Sequence, residues 1–219
     1  MGQHSGTKSY SLRKEYGLHG AVKEVSTYLC KVNKQGILSD TGNAFGKYKL
    51  TFDEQGNGQI NYRKRTNENG AVIIYEMIYA GKGKNVTYKE RIIIDGKQVE
   101  EAGYKYVWSD DLSYKIVKQN DTSDVQIFTL NNNFRIINFK LKQGDVEHNY
   151  KTDELIKNNR VEKTITLNEN AENEITKSFD VMVMKEFDEH NNPTKIYSYD
   201  NLDEKNPIVV VFKQYKYYK

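Results

Sequence analysis

Along most of the chain, apolar and polar side chains alternate with a period of two. Tyr48, Leu50 and Phe52 interleave with Lys47, Lys49 and Thr51, and Ile60 and Tyr62 interleave with Gln59, Asn61 and Arg63. This is the pattern of strands with one buried face. Between the two runs lies Asp53-Glu54-Gln55-Gly56-Asn57-Gly58, whose Gly and Asn residues supply the positive φ that a hairpin connection needs. A β-hairpin is predicted here. The same grammar continues through a turn at Asn67-Glu68-Asn69-Gly70, a strand from Val72 to Tyr79, Gly81-Lys82-Gly83, a strand from Val86 to Ile94, and the turn Asp95-Gly96.

Further strands are predicted over Gln98 to Trp108, Tyr114 to Lys118, Val125 to Leu130, Phe134 to Leu141, Val146 to Tyr150, Val161 to Leu167, Ile175 to Phe187, Thr194 to Tyr199 and Ile208 to Tyr217. With Ala21 to Val32 this makes about fourteen. Two connections are longer, Asn33 to Gly46 and Leu155 to Arg160, and the second has room for one helical turn. A short helix over Leu12 to Tyr16, stopped by Gly17, precedes the first strand. Residues 1–10 read as a disordered lead and 11–219 as a single all-β domain. The expected fold is a long antiparallel meander of β-hairpins, either one strongly twisted sheet or one curled toward a barrel or sandwich, because open sheets beyond ~10 strands curl or split.

Composition agrees with this. Ile and Val together number 33 against 11 Leu and 6 Ala, and there are 17 Tyr, so the residues that suit a pleated surface dominate. The net charge of +3 lacks the single-sign field of nucleic-acid binders. The Lys213-Gln214-Tyr215-Lys216-Tyr217-Tyr218-Lys219 ending reads instead as an exposed strand whose lysines discourage edge pairing. One cysteine, Cys30, allows no internal disulfide, and its place within a strand marks it as structural. No apolar run is long enough to span a membrane as a helix.

Two of the turns carry a resemblance. Tyr48-Lys49-Leu50-Thr51-Phe52-Asp53-Glu54-Gln55-Gly56-Asn57 resembles the YD repeat of RHS-type secreted proteins. Phe187-Asp188-Glu189-His190-Asn191-Asn192-Pro193 looks like a second copy, with Asn191 standing where Gly56 does. Asn is the other residue that visits the left-handed region at modest cost. The stretch from about Tyr104 to Leu167 shows no clean copy. Together with Leu18-His19-Gly20-Ala21-Val22-Lys23-Glu24-Val25 and the Tyr-rich final strand, the chain is similar to exported β-sheet proteins of Bacteroidetes, many of them lipoproteins. The resemblance implies a sheet of stacked hairpins in the cell envelope, periplasmic or at the outer surface, with the export signal and any lipid anchor upstream of this chain. It brings no functional residues with it.

For chemistry, Tyr104, Tyr106 and Trp108 fall on one face of a strand by period two. Such a stripe suits stacking on sugar rings or burial in a protein interface, or else forms the core. No G-x-S-x-G elbow and no helical pair of histidines occurs, and Glu147 and His148 alternate to opposite faces. The acidic stretches Asp200-Asn201-Leu202-Asp203-Glu204 and Asn168-Glu169-Asn170-Ala171-Glu172-Asn173 lack the order of a calcium loop. Gly81-Lys82-Gly83-Lys84 lacks Walker spacing and reads as a hairpin turn. The expectation is therefore a non-catalytic envelope protein without a cofactor, binding a protein or glycan through a sheet face or its hairpin tips, with Tyr104, Tyr106 and Trp108 as the ligand-binding residues. The alternative is a glycan-acting hydrolase using carboxylates brought together across strands.

Overall fold

The computed structural model describes residues 9–32, 44–143, 146–171 and 175–219. After one short helix, Leu12–Glu15 (α1), come fourteen strands: Val22–Lys31 (β1), Gly46–Phe52 (β2), Gly58–Thr66 (β3), Val72–Lys82 (β4), Asn85–Ile94 (β5), Lys97–Trp108 (β6), Ser113–Lys118 (β7), Asp121–Leu130 (β8), Ile136–Gln143 (β9), Val146–Lys157 (β10), Arg160–Ala171 (β11), Ile175–Phe187 (β12), Pro193–Tyr199 (β13) and Val209–Tyr217 (β14). Each strand pairs with the next, and β14 pairs antiparallel with β1, so the meander closes into a barrel. Among the described residues no helix is long and apolar enough to cross a membrane.

Closure corrects the expectation of an exposed final strand. The seam runs from Lys31 opposite Val209 to Val22 opposite Tyr217, so β14 has a neighbour on both sides. Lys213 turns into the barrel, and Lys216 pairs outside with Glu24 at 2.8 Å. Sequence shows which residues of a strand share a face, but the partner of its second edge lies nearly the whole chain away. The connection Leu155 to Arg160, which had room for a helical turn, forms none. β10 continues to Lys157, and the two turn residues Asn158 and Asn159 both have positive φ, 51° and 58°, the type I′ geometry of a two-residue hairpin. Most of the connection from Asn33 to Gly46 lies outside the described residues, as do residues 1–8. Tyr10, expected in the disordered lead, is only 5% exposed. Its ring lies edge-on to Trp108 at 4.8 Å.

The two look-alike turns share one geometry. Asp53 N–H donates to the Asn57 carbonyl, Gly56 N–H to the Asp53 carbonyl, and Asn57 N–H to the Asp53 carboxylate, at 2.9, 3.0 and 2.8 Å. Asp188, Asn191 and Asn192 repeat these bonds at 2.9, 3.1 and 2.8 Å, with Asn191 at φ 65° where Gly56 is at 88°. A third copy spans Asn131 to Arg135, with Phe134 in the left-handed position at φ 62°. All three lie at one end of the barrel, because alternate connections of a meander fall on the same side. Residues 10–20 close that end. Arg13 N–H donates to the Gly56 carbonyl, the Arg135 guanidinium to the Gly17 carbonyl, and Asn192 grips both the N–H and the C=O of His19.

The outer wall is charged. Lys49 and Lys216 flank Glu24, Glu76 faces Arg91, Lys89 reaches Glu101, and Glu169 faces Lys177. Each such pair adds little stability, and exposed apolar side chains, among them Ile60, Ile78 and Ile127, lie on the same wall. The loop after β13 is pinned to this wall by a Lys163–Glu204 ion pair. The two buried apolar clusters lie inside, near the α1 end, one built on Tyr10, Tyr114 and Leu130 and the other on Leu12, Val22 and Phe52.

Candidate functional site

Eight strands make a barrel whose interior side chains just fill it, so fourteen leave space that something must occupy. Here the N-terminal segment fills one end, and a cavity of about 530 Å³ remains beyond it. The helix that forms its floor is short but well specified. Ser11 caps it by accepting from the Lys14 N–H at 3.4 Å, and Gly17 leaves it in a left-handed conformation, φ 64°. Leu12 and Glu15 are both buried, since they lie on the helix face turned toward the lumen.

One wall of the cavity is aromatic. Register places Trp108, Tyr114, Phe128, Phe139 and Tyr150 opposite one another across β6 to β10. Ring centroids follow at 4.7, 4.8, 4.8 and 5.2 Å, a cross-strand ladder of stacked and tilted rings. A second row, Tyr79, Tyr88 and Tyr104, runs across β4 to β6, with Tyr88 and Tyr104 stacked at 4.8 Å. The three residues expected from sequence therefore share one face, and it is the inner one. Tyr106 lines the cavity and stacks on Tyr114 at 4.8 Å. Tyr104 packs beside it against Tyr88. Trp108 lies lowest, against Tyr10, with its indole N–H buried and without a hydrogen-bond partner.

Two carboxylic acids border the same space, and sequence reasoning singled out neither. Glu15 receives the Tyr10 hydroxyl at 2.6 Å. The Tyr114 hydroxyl faces the same carboxyl without meeting hydrogen-bond geometry. Burial raises Glu15 from its ordinary 4.5 to about 7, against the opposing pull of these hydroxyls. Glu90, on β5, is raised by burial and by the neighbouring charge of Glu100. The signal for Glu15 was a carboxylate in a four-residue helix with two apolar neighbours, too little to establish periodicity.

The opposite wall carries cations. Lys213 on β14, Thr27 on β1, Tyr48 on β2 and Arg63 on β3 lie directly opposite one another in a single inward row. Lys213 and Arg63 border a side lobe of about 260 Å³ together with Tyr16, Tyr48 and Asn61. The Arg63 Nε donates to Asn61 Oδ1 at 3.2 Å. Arg65, one inward position farther along β3, lies with its guanidinium 5.9 Å from the Tyr75 ring. Burial, and then the like charge of Arg135, hold the Lys213 amine down to about 8. Sequence placed Arg63 in an alternating strand, yet on the polar side; the barrel puts that side inward.

The remaining candidates resolve into structural roles. Cys30 is fully buried. Among the described residues no three His, Cys, Asp or Glu side chains gather as metal ligands would. Glu147 is engaged by Lys140 on the outer wall, whereas His148 points inward beside Tyr150. In the stretch from Asp200 to Glu204 the Asp203 carboxylate meets Lys205, and Glu204 meets Lys163. The other acidic stretch extends beyond the described residues at Glu172 and Asn173. Gly81-Lys82-Gly83-Lys84 is the connection of the β4–β5 hairpin, as expected. Comparison with protein-family models, with curated proteins and with solved structures finds no match to this chain.

Proposed function

We propose that this is a non-catalytic binding protein of the cell envelope that takes a glycan against the inner face of its sheet. The observation that carries this reading is the cavity of about 530 Å³ walled by Tyr75, Tyr79, Tyr88, Tyr106, Tyr114 and Phe128. Its volume lies in the range of small-molecule sites. Tyrosine rings offer flat apolar faces for the C–H faces of sugar rings and hydroxyls for their polar edges. The ladder is preorganised by its own stacking, so a ligand would not have to order it. Placement in the envelope rests on the likeness of the Asp53 and Asp188 turns to those of exported proteins.

Trp108, the only tryptophan, tests the reading. Titration with soluble oligosaccharides should change its emission and its iodide quenching saturably, and Tyr106→Ala should weaken that response about tenfold or more. Indifferent emission and quenching, together with no heat of binding in calorimetric titration of wild type with every oligosaccharide, would remove the lumen as a glycan site. A second reading, a glycan hydrolase, draws on the two carboxyls with raised proton affinity on one cavity, Glu15 and Glu90. Glycoside cleavage uses two carboxyls, one protonated as the acid and one ionised as base or nucleophile, and Glu15 would be the acid. New reducing ends released by wild type and lost in Glu15→Gln would favour it over simple binding.

A further inference from the structure

Arg63 and Lys213 are inward cations that border one lobe; Arg65, farther along β3, lies over the Tyr75 ring instead. On the outer wall the described lysines and arginines named above meet carboxylates. Inside, Lys118 meets Glu100 at 2.8 Å and Arg135 meets Glu154. Arg63 and Lys213 form no ion pair among the described residues. Arg63 spends its Nε on an amide oxygen, and the hydroxyls around its guanidinium belong to tyrosines, neutral at physiological pH. Lys213 is enclosed by the wall, and the charge that acts on it, Arg135, is another cation. For Lys213, holding an unpaired cation in such surroundings is costly, because burial disfavours the charged form; Arg63 has Glu90 on the same cavity, though not in an ion pair. Two of them bordering one lobe fit an anion that arrives with the ligand.

We propose that the glycan is acidic and that its carboxylate seats between Arg63 and Lys213. This rests on the glycan-binding reading above and adds the charge of the ligand. The row geometry suits it. Lys213 and Arg63 are the ends of a four-strand row, separated along the wall by the positions of Thr27 and Tyr48. Strand spacing makes that separation about 14 Å between backbones, which long side chains reaching inward can narrow toward one ligand group. The Arg63 guanidinium, which the Tyr16 hydroxyl also meets, offers its planar fork of N–H groups to a carboxylate, Lys213 adds a compact charge, and the Thr27 and Tyr48 hydroxyls lie between them. Across the lumen, Tyr106 and Tyr75, both lining the cavity and only partly buried, remain for the sugar rings. One wall thus reads charge and the other reads ring.

The test compares acidic disaccharides, containing galacturonate, glucuronate or sialate, with their methyl esters, by calorimetry on the full chain. Esterification removes the charge and leaves the rings. At least one acid should bind about tenfold or more tighter than its ester, and in Lys213→Met and Arg63→Met that ratio should fall to about one. Lys213→Met removes an unpaired charge and should melt no lower than wild type. The ester comparison on wild type stands without either variant. Equal affinity for acids and esters would overturn the acidic ligand while leaving glycan binding intact. Absence of binding by any acid or ester would overturn both readings. Inorganic sulfate binding as tightly as the best saccharide would also overturn the proposal, since the lobe would then be a seat for free anions.

Discussion

Replacing Glu15 by Gln should change the pH dependence of stability in a defined way. The folded barrel raises this carboxyl from 4.5 to about 7. It therefore binds a proton more tightly than the unfolded chain does. Below about pH 4.5 both states are protonated and the site costs nothing. As pH rises the unfolded chain ionises first, and stability falls by about 1.4 kcal/mol per pH unit until the folded carboxyl ionises as well, near pH 7. The accumulated loss is about 3 kcal/mol. Gln keeps the shape and still accepts the Tyr10 hydroxyl, but carries no charge at any pH. The variant should match wild type at pH 4.5 and exceed it by about 3 kcal/mol at pH 8, or roughly 6–12 °C in Tm for a domain of this size. Urea unfolding at pH 4.5, 6, 7 and 8 measures the difference, in which every other titrating group cancels. A difference that stays constant across this range, or that grows as pH falls, refutes the assignment of a buried, proton-binding Glu15. Amide exchange at Tyr16, whose N–H donates to the Leu12 carbonyl at 3.0 Å, would report whether the loss is local to the helix.

Other outcomes follow from single contacts. Asn192 is fully buried and joins the His19 N–H, the His19 carbonyl and the Tyr217 hydroxyl, each at 2.8 Å, so Asn192→Ala should cost about 3 kcal/mol by leaving backbone groups unpaired. Gly81 and Gly96 both have positive φ, but a Cβ at Gly81 would stand 1.9 Å from the Asn85 carbonyl oxygen whereas one at Gly96 meets nothing within 4 Å. Gly96→Ala should cost about 1 kcal/mol, and Gly81→Ala at least about 2 kcal/mol more, read from paired denaturation curves.

Much of the architecture was legible because a strand's alternation is local. Tyr48 to Phe52 and Tyr104 to Trp108 declare a common face without reference to anything else, and Asp95-Gly96 declares its own turn. Three things were not local. Barrel closure depends on β1 meeting β14, and the hydrophobic Ile208 to Phe212 run gives no hint of which strand lies on its far side. The third copy of the look-alike turn hid because Phe134 occupies a position normally given to Gly or Asn. Its ring, only 7% exposed and edge-on to Tyr10 at 5.9 Å, supplies packing that offsets the backbone cost. The candidate site was half visible. The stripe of rings showed itself, but whether its face was core, surface or lumen required the barrel. Lys213 and Arg63 become neighbours of one lobe only when the register of four strands is known.

Closing the ring between β1 and β14 also shapes how the chain must fold. Hairpins can form one after another from local contacts, but the last pairing joins segments nearly two hundred residues apart, and such distant contacts slow folding. Until that seam zips, the growing sheet has two raw edges, each offering unpaired N–H and C=O groups to any other strand. A chain lacking β14 would keep both edges permanently. Its natural remedy is the same strand from another copy, so loss of the C-terminal strand should convert a closed ring into exchanged assemblies or aggregates rather than into a smaller barrel.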